Sequence, residues 1–237
     1  MQKLRAGGYL TLPPQQRATE RAEFNPYIYD LTRRARDHLA DLGVAEPAIR
    51  PSGHWWHTYL TAQVTSSIDI CAARAGIRFI PAHEILARTG ASIAIPHGKS
   101  KLIPDQLFAL DYGGRYRAFA LEVDRGTEPK TSPANRKSWA RSISQYDDIL
   151  SREIYKSHYG LKANLLVLWV FTSRAKEQHF RSLMKDRPGA ADRAILTQPV
   201  DEASSRTGRI GLLGHLLDGP WRRVDGSTVS IGVVQRE

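Results

Sequence analysis

Cysteine is nearly absent from this 237-residue chain: Cys71 is the only one. An intrachain disulfide and a multi-cysteine zinc site are thereby excluded, and Cys71, in an apolar helical stretch, is expected to be buried. Long hydrophobic runs are missing too. None approaches the ~18 residues that cross a bilayer, and Met1–Gly8 has no apolar signal core, so a cytoplasmic protein without membrane contact is expected. Acidic residues are in deficit, 24 against 34 Lys and Arg, for a net charge of +10 and a pI near 9.9. That balance favours a polyanionic partner, because Lys and Arg contacts to phosphates release condensed counterions. With 41% hydrophobic and 24% charged residues, and neither repeats nor low-complexity tracts, disordered and fibrous classes fall away.

The most informative stretch runs from Ile103 to Gln145. Two β-type runs, Gln106–Leu110 and Tyr116–Val123, flank Tyr112-Gly113-Gly114, whose glycine pair tolerates positive φ; together they predict a hairpin. Strand alternation puts Phe119, Leu121 and Val123 on one face, suited to a core, and Ala118, Ala120, Glu122 and Asp124 on the other, suited to a site. Asp105, just before the first strand, should return beside Glu122 and Asp124. Three carboxylates at one sheet end repel unless a cation lies between them, and hard oxygen ligands suit Mg²⁺ or Mn²⁺. Immediately downstream, residues 130–187 carry 12 Lys and Arg against 5 Asp and Glu. Such a basic flank beside an acidic site suits a metal-dependent nucleic-acid enzyme; a solvated helix face is the bland alternative.

The order Pro104-Asp105, hairpin, Glu122-Val123-Asp124, then a helix bearing Gln145-Tyr146 resembles the PD-(D/E)XK nuclease fold. More narrowly, Glu122-Val123-Asp124-Arg125-Gly126-Thr127-Glu128 after Pro104-Asp105 resembles the replication-relaxation family of bacterial and plasmid proteins. Tyr27-Ile28-Tyr29-Asp30-Leu31-Thr32 and the helix after it resemble that family's winged-helix end, and His57 onward its first nuclease-fold helix. The resemblance implies Asp105, Glu122 and Asp124 as metal ligands and the pair Gln145-Tyr146 as orienting the metal shell or the backbone; a core Tyr146 and a solvated Gln145 are the bland alternative. One departure stands out: active nucleases of the wider fold carry lysine where this chain has Asp124, which removes the cation that polarises water and stabilises developing charge. Arg125 alternates to the opposite face. Lys130 or Lys137 could replace the missing lysine from the following segment, or Asp124 could serve as a third ligand.

Elsewhere the pattern is coarser. Residues 1–50 are expected to form a partial winged-helix segment, with a helix tail in Leu4–Leu10, a wing loop from Pro13, a strand at Tyr27–Leu31 and a helix over Thr32–Leu42 whose inward stripe is Leu31, Ala35, Leu39 and Leu42. Pro47, Pro51 and Gly53 mark a linker, and residues 54–237 form the nuclease-like domain. Its first helix presents Leu60, Val64, Ile68, Cys71 and Ala75 and stops near Gly76. His54 and His57 are three apart without a third metal ligand, so packing or hydrogen bonding is favoured; Trp55 and Trp56 suit the core better than base stacking. Asp69 is a weak candidate for a carboxylate from that helix. Strands are expected at Arg78–Ile80 and Ala194–Leu196 and a buried central strand at Leu165–Phe171. Ala91–Lys101 reads as a polar loop. Trp139, Ile143, Tyr146, Ile149 and Leu150 mark one helix, with Arg136, Lys137 and Arg141 near its start, and Ala175–Lys185 the next, with Phe180, Leu183 and Met184 inward. A turn at Ser204–Gly208, a short helix over Ile210–Leu217 and a hairpin around Asp225-Gly226 close the chain.

The expected architecture is therefore α/β: a restriction-endonuclease-like (PD-(D/E)XK) core with a central mixed sheet flanked by helices, preceded by a partial winged helix. The leading functional expectation is DNA binding with metal-dependent phosphodiester hydrolysis in plasmid or mobile-element DNA processing. Asp105, Glu122 and Asp124 would hold Mg²⁺ or Mn²⁺, Lys137 or Lys130 would stabilise charge, and Lys130, Arg136, Lys137 and Arg141 would track phosphates. The alternative is a non-catalytic DNA-binding replication factor on a degenerate nuclease fold. A homodimer, or other replication or mobilisation proteins, are further candidate partners. A third reading makes the carboxylates a structural turn paired with Arg125 and its neighbours.

Overall fold

The computed structural model describes residues 1–12, 29–44, 55–124, 138–200 and 211–233. The wing loop from Pro13, Tyr27, Ile28, the linker prolines, His54, Arg125, Lys130, Arg136, Lys137, the Ser204–Gly208 turn and Ile210 lie outside them, as does the Trp55 side chain. The first part comprises α1 (Gln2–Ala6), β1 (Leu10–Thr11), β2 (Asp30–Leu31) and α2 (Arg33–Asp41). β1 and β2 pair antiparallel. Thr32 caps α2, its hydroxyl accepting from Ala35 N–H at 3.2 Å and donating to Gly8 O at 2.7 Å, which ties the helix start to the strand pair. Ala35 is buried, whereas Leu42, expected inward, is 64% exposed.

The remaining elements are α3 (Trp55–Arg74), β3 (Arg78–Pro81), α4 (Ala82–Ala87), β4 (Ile95–His97), β5 (Ser100–Leu102), β6 (Gln106–Asp111), β7 (Tyr116–Asp124), α5 (Trp139–Ser151), α6 (Ile154–Tyr159), β8 (Leu165–Phe171), α7 (Arg174–Lys185), α8 (Ala190–Ala194), β9 (Ile195–Pro199), α9 (His215–Asp218), β10 (Trp221–Arg222) and β11 (Thr228–Val229). Seven strands form one mixed sheet in the order β11-β10-β9-β8-β7-β6-β3. β3, β6 and β7 are antiparallel neighbours, and β7, β8 and β9 run parallel, with α5 among the segments that cross from β7 to β8. The β6–β7 turn follows the glycine signal: Gly113 and Gly114 have φ of 78° and 92°, Tyr112 N–H donates to Arg115 O at 2.7 Å, and Asp111 Oδ1 accepts from Gly114 N–H.

Both sheet faces are covered. Leu60, Val64, Ile68 and Ala72 of α3 join Phe119, Leu121, Val123, Leu168 and Val170 on one side; the stripe ends on Ala72, leaving Ala75 exposed and Cys71 only half-buried. On the other side, Ala118 and Ala120 meet Trp139, Ile143, Tyr146, Trp169, Phe171 and Phe180. The face of β7 that carries Glu122 and Asp124 thus also builds a second core through Ala118 and Ala120, because helices from both crossovers lie on it. The stretch expected to be a loop, Ala91–Lys101, contains most of the β4–β5 hairpin. Ile95 and Leu102 bury themselves under α5 and α6, and that apolar pair is what turns a polar segment into a strand pair. Among the described residues no helix is long and apolar enough to cross a membrane.

Phe180 centres an aromatic cluster, 4.4 Å from the Trp169 ring, 5.1 Å from Phe171 and edge-on to Trp139 at 5.7 Å. Truncating a fully buried phenylalanine removes ~3–5 kcal/mol by lost burial and the cavity left behind. Phe180→Ala is expected to lower unfolding free energy by about that amount and to alter tryptophan fluorescence, both read from urea denaturation; a change below about 1 kcal/mol would show that this cluster does not anchor α7.

Candidate functional site

Register alone brings the predicted carboxylates together. Gln106 is opposite Leu121, and Asp105 N–H donates to Leu121 O at 2.9 Å, so Asp105 stands across from Glu122, with Asp124 two residues further along the same face. Glu122 and Asp124 are only 1% and 2% exposed. Buried carboxylates need donors, and α5 supplies them: Tyr146 Oη donates to Glu122 Oε1 at 2.7 Å and Trp139 Nε1 to Asp124 Oδ2 at 2.5 Å. The two donors are seven residues apart, two helical turns, and so share one helix face, as Glu122 and Asp124 share one strand face. Ser138 sets the start of that helix, its Oγ accepting from Arg141 N–H.

Asp105 is the most open of the three, its side chain 15% exposed. Its Oδ2 accepts from Val123 N–H at 2.8 Å, and its Oδ1 lies 3.0 Å from Nε2 of His57 on α3. His57 therefore has the hydrogen-bonding role favoured for it. Burial, followed by the charge and hydrogen bond of Glu122, pushes the Tyr146 hydroxyl well above the ordinary tyrosine value, with Tyr159 and Asp105 adding to the shift. Tyr146 thus stays protonated as a donor. Burial first, then Glu122, also raises Tyr159, whose hydroxyl donates to Ile93 O at 2.6 Å.

Beside this centre the first turns of α5, the β4–β5 hairpin and Arg187 line a groove of about 410 Å³, with His97, Ser100, Ser138, Arg141, Gln145 and Arg187 among its walls. Gln145 Nε2 donates to Ser100 Oγ at 3.3 Å, so its side chain belongs to the groove. His97 Nε2 lies 3.1 Å from Asp148. Asp69 is exposed on α3. Lys130, Arg136 and Lys137 fall in the segment outside the described residues, whose ends join Asp124 to Ser138.

Among the described residues no three His, Cys, Asp or Glu side chains converge to hold a metal ion. Asp105, Glu122 and Asp124 offer the hard oxygens that Mg²⁺ and Mn²⁺ prefer, but on this geometry they form a row along two strands and no closed cage. Sequence reading singled out Tyr146 beside Gln145 but missed its partnership with Trp139 as a donor to the acids, and it missed Arg187. The seven-residue spacing against an E-x-D strand was the signal for the first; nothing local marks the second.

Fold and site together define a mixed α/β protein with a buried carboxylate centre at one end of its central sheet, beside a basic groove. The family model described as Replication-relaxation matches residues 1–165, which include β3, β6, β7, α5 and the three carboxylates, and the chain belongs to that family. Membership implies a role in plasmid or mobile-element replication. No curated protein and no solved structure matches the chain.

Tyr146→Phe leaves a buried Glu122 oxygen without its donor, which costs ~1–3 kcal/mol. A tyrosine raised on folding gives stability that is present in full below the free value of 10.0 and lost as the pH rises from there toward the folded value, since only the unfolded chain then releases the proton. The wild type should lose stability above about pH 10, and Tyr146→Phe should be less stable at pH 8 with a shallower alkaline decline. Chemical denaturation between pH 8 and 11 measures both; parallel curves would rule out this role for Tyr146.

Proposed function

We propose that the protein is a DNA-binding factor of plasmid or mobile-element replication, whose nuclease-like α/β core holds its carboxylate centre as a structural and positioning element. The observation that carries this reading is Asp124. It stands where active nucleases of the resembling fold carry lysine, and it is buried against the Trp139 indole. An aspartate at that position does not itself supply the cation that polarises water and stabilises a phosphorane. The order of α3, three antiparallel strands, α5 and the parallel β8 supports a restriction-endonuclease-like core, and β1, β2 and α2 support a winged-helix remnant before it. Net charge of +10 and the groove of Arg141 and Arg187 support phosphate contact, to which Arg136, Lys137 and Lys130 of the adjoining sequence would add.

A second reading has its own support. Asp105 faces Glu122 across the β6–β7 ladder with Asp124 beside them, the row of oxygens from which Mg²⁺ or Mn²⁺ could be held for phosphodiester hydrolysis, with Lys130 or Lys137 supplying charge and Gln145 the backbone contact.

Calorimetric titration of Mn²⁺ and Mg²⁺ into wild type and Asp105→Ala, followed by incubation with supercoiled, linear and single-stranded DNA, separates the two. Salt-sensitive DNA binding with neither metal heat nor nicking is the expected result. Metal binding lost in Asp105→Ala, with nicking by wild type alone, would replace this reading with the nuclease. Arg141→Gln with Arg187→Gln should weaken DNA binding by on the order of 10-fold at 0.1 M salt and flatten the salt dependence; unchanged affinity would remove the groove from the interface.

A further inference from the structure

At the other end of the sheet, where β7, β8 and β9 begin, lies a larger cleft of about 880 Å³, within the ~300–1,000 Å³ range of ligand clefts. Its walls include Arg115 and Arg117 from the β6–β7 hairpin, Arg193 from α8, Arg223 after β10, and Tyr116. From Arg117 to Asp124 the strand spans roughly 20 Å at ~3.3 Å per residue, so the cleft is separate from the carboxylate centre.

None of the four arginines has a carboxylate partner within ion-pair distance among the described residues, although other arginines of the chain do: Arg78 with Glu84, Arg152 with Asp148, Arg222 with Glu177. The nearby acids are engaged elsewhere. Glu153, the one acid on the cleft wall, is bonded to Lys156 Nζ at 2.5 Å. Asp111 accepts from the Gly114 amide and Asp225 from the Ser227 amide. Arg223 Nε is buried without a hydrogen-bond acceptor among the described residues, a state that native structures seldom leave uncompensated. Four arginines from three separate parts of the chain line this cleft, so it is not the solvated face of one helix; they give it a concave cationic lining whose forked donors match phosphoryl oxygens. Tyr112, whose hydroxyl donates to Ile231 O at 2.6 Å, stays protonated: burial, partly offset by Arg117, pushes it up to about 12. It is anchored as part of the wall, which the half-buried Tyr116 also lines. A cleft lined by arginines and tyrosines suits single-stranded nucleic acid, where the cations follow the backbone and a ring accepts an unstacked base.

We propose that this arginine-lined cleft is a second nucleic-acid site that takes the phosphodiester backbone of single-stranded DNA, at the sheet end opposite the carboxylate centre. It rests on the DNA-binding reading and extends it: the strand is held at two places, the groove at α5 and this cleft.

Arg115 and Arg193 are exposed, so an Arg115→Gln/Arg193→Gln variant is expected to keep its fold, checked by its denaturation midpoint. Binding of a fluorescent 30-nucleotide single strand, of its duplex and of inorganic pyrophosphate is measured for this variant, for Arg141→Gln and for wild type across a salt series. The expected result is single-strand affinity lowered on the order of 10-fold at 0.1 M salt in the double variant, with the slope of log K against log salt reduced by about 1.4 for the two contacts, and a smaller effect on duplex. Loss of pyrophosphate binding with unchanged strand affinity would overturn the proposal in favour of a free phosphate ligand. Unchanged strand affinity and slope, with Arg141→Gln impaired, would overturn the cleft alone and leave the DNA-binding reading standing. No binding of any DNA by wild type would overturn both.

Discussion

Ionised carboxylates inside a protein core are tolerated only where donors replace the water they have lost. Burying Glu122 and Asp124 on one face of β7 fixes much of the surrounding structure through that requirement. α5 must lie over the end of β7 so that Trp139 and Tyr146 reach the two acids, which demands the Ser138 cap, and it must be held there, which the contacts of Trp139 with Phe171 and Phe180 accomplish. A third acid obeys the same rule further along the sheet. Glu177 of α7, 2% exposed, accepts from Thr197 Oγ1 at 2.8 Å and lies 3.4 Å from Arg222 Nη1, which ties α7 to β9 and β10. The helical layer on this face is thus pinned at two points by charge that cannot be left unmet, with aromatic packing filling the space between.

Charge is distributed along the sheet axis. The acids gather where β7 ends, and the arginines of the cleft where β7, β8 and β9 begin. Tyr146, Trp139 and His57 are among the partners of the acids, so the two sets of charge stay at opposite ends of the sheet. A chain with net charge +10 can therefore keep several buried carboxylates and still present cationic concavities to a polyanion.

Much of this was legible in the sequence, and where it was not the reason is geometric. The β6–β7 hairpin, the buried β8 and the juxtaposition of Asp105 with Glu122 follow from alternation, a glycine pair and an apolar run, all local signals. Alternation says only which residues share a face, so it gave no sign that helices of the parallel crossovers cover the Glu122 face as well. Ala91–Lys101 lacks a strand signal because its pairing depends on two buried residues, Ile95 and Leu102, set beneath helices 40 and more residues downstream. The cleft arginines carry no local signature at all: Arg115, Arg193 and Arg223 become neighbours only through strand order.

The substitution that separates this chain from an active nuclease pattern also accounts for its internal order. A lysine at position 124 would put a cation beside Glu122 and require no indole; an aspartate there adds a second negative charge and is stable only if a rigid donor meets it. Trp139 donates its indole N–H to that carboxylate, from a helix whose start is fixed by the Ser138 cap. On that argument the family resemblance in the strand and the departure at Asp124 have separate consequences: the first lies in the sheet and its register, the second in a buried acid that the helix above it must meet with a donor.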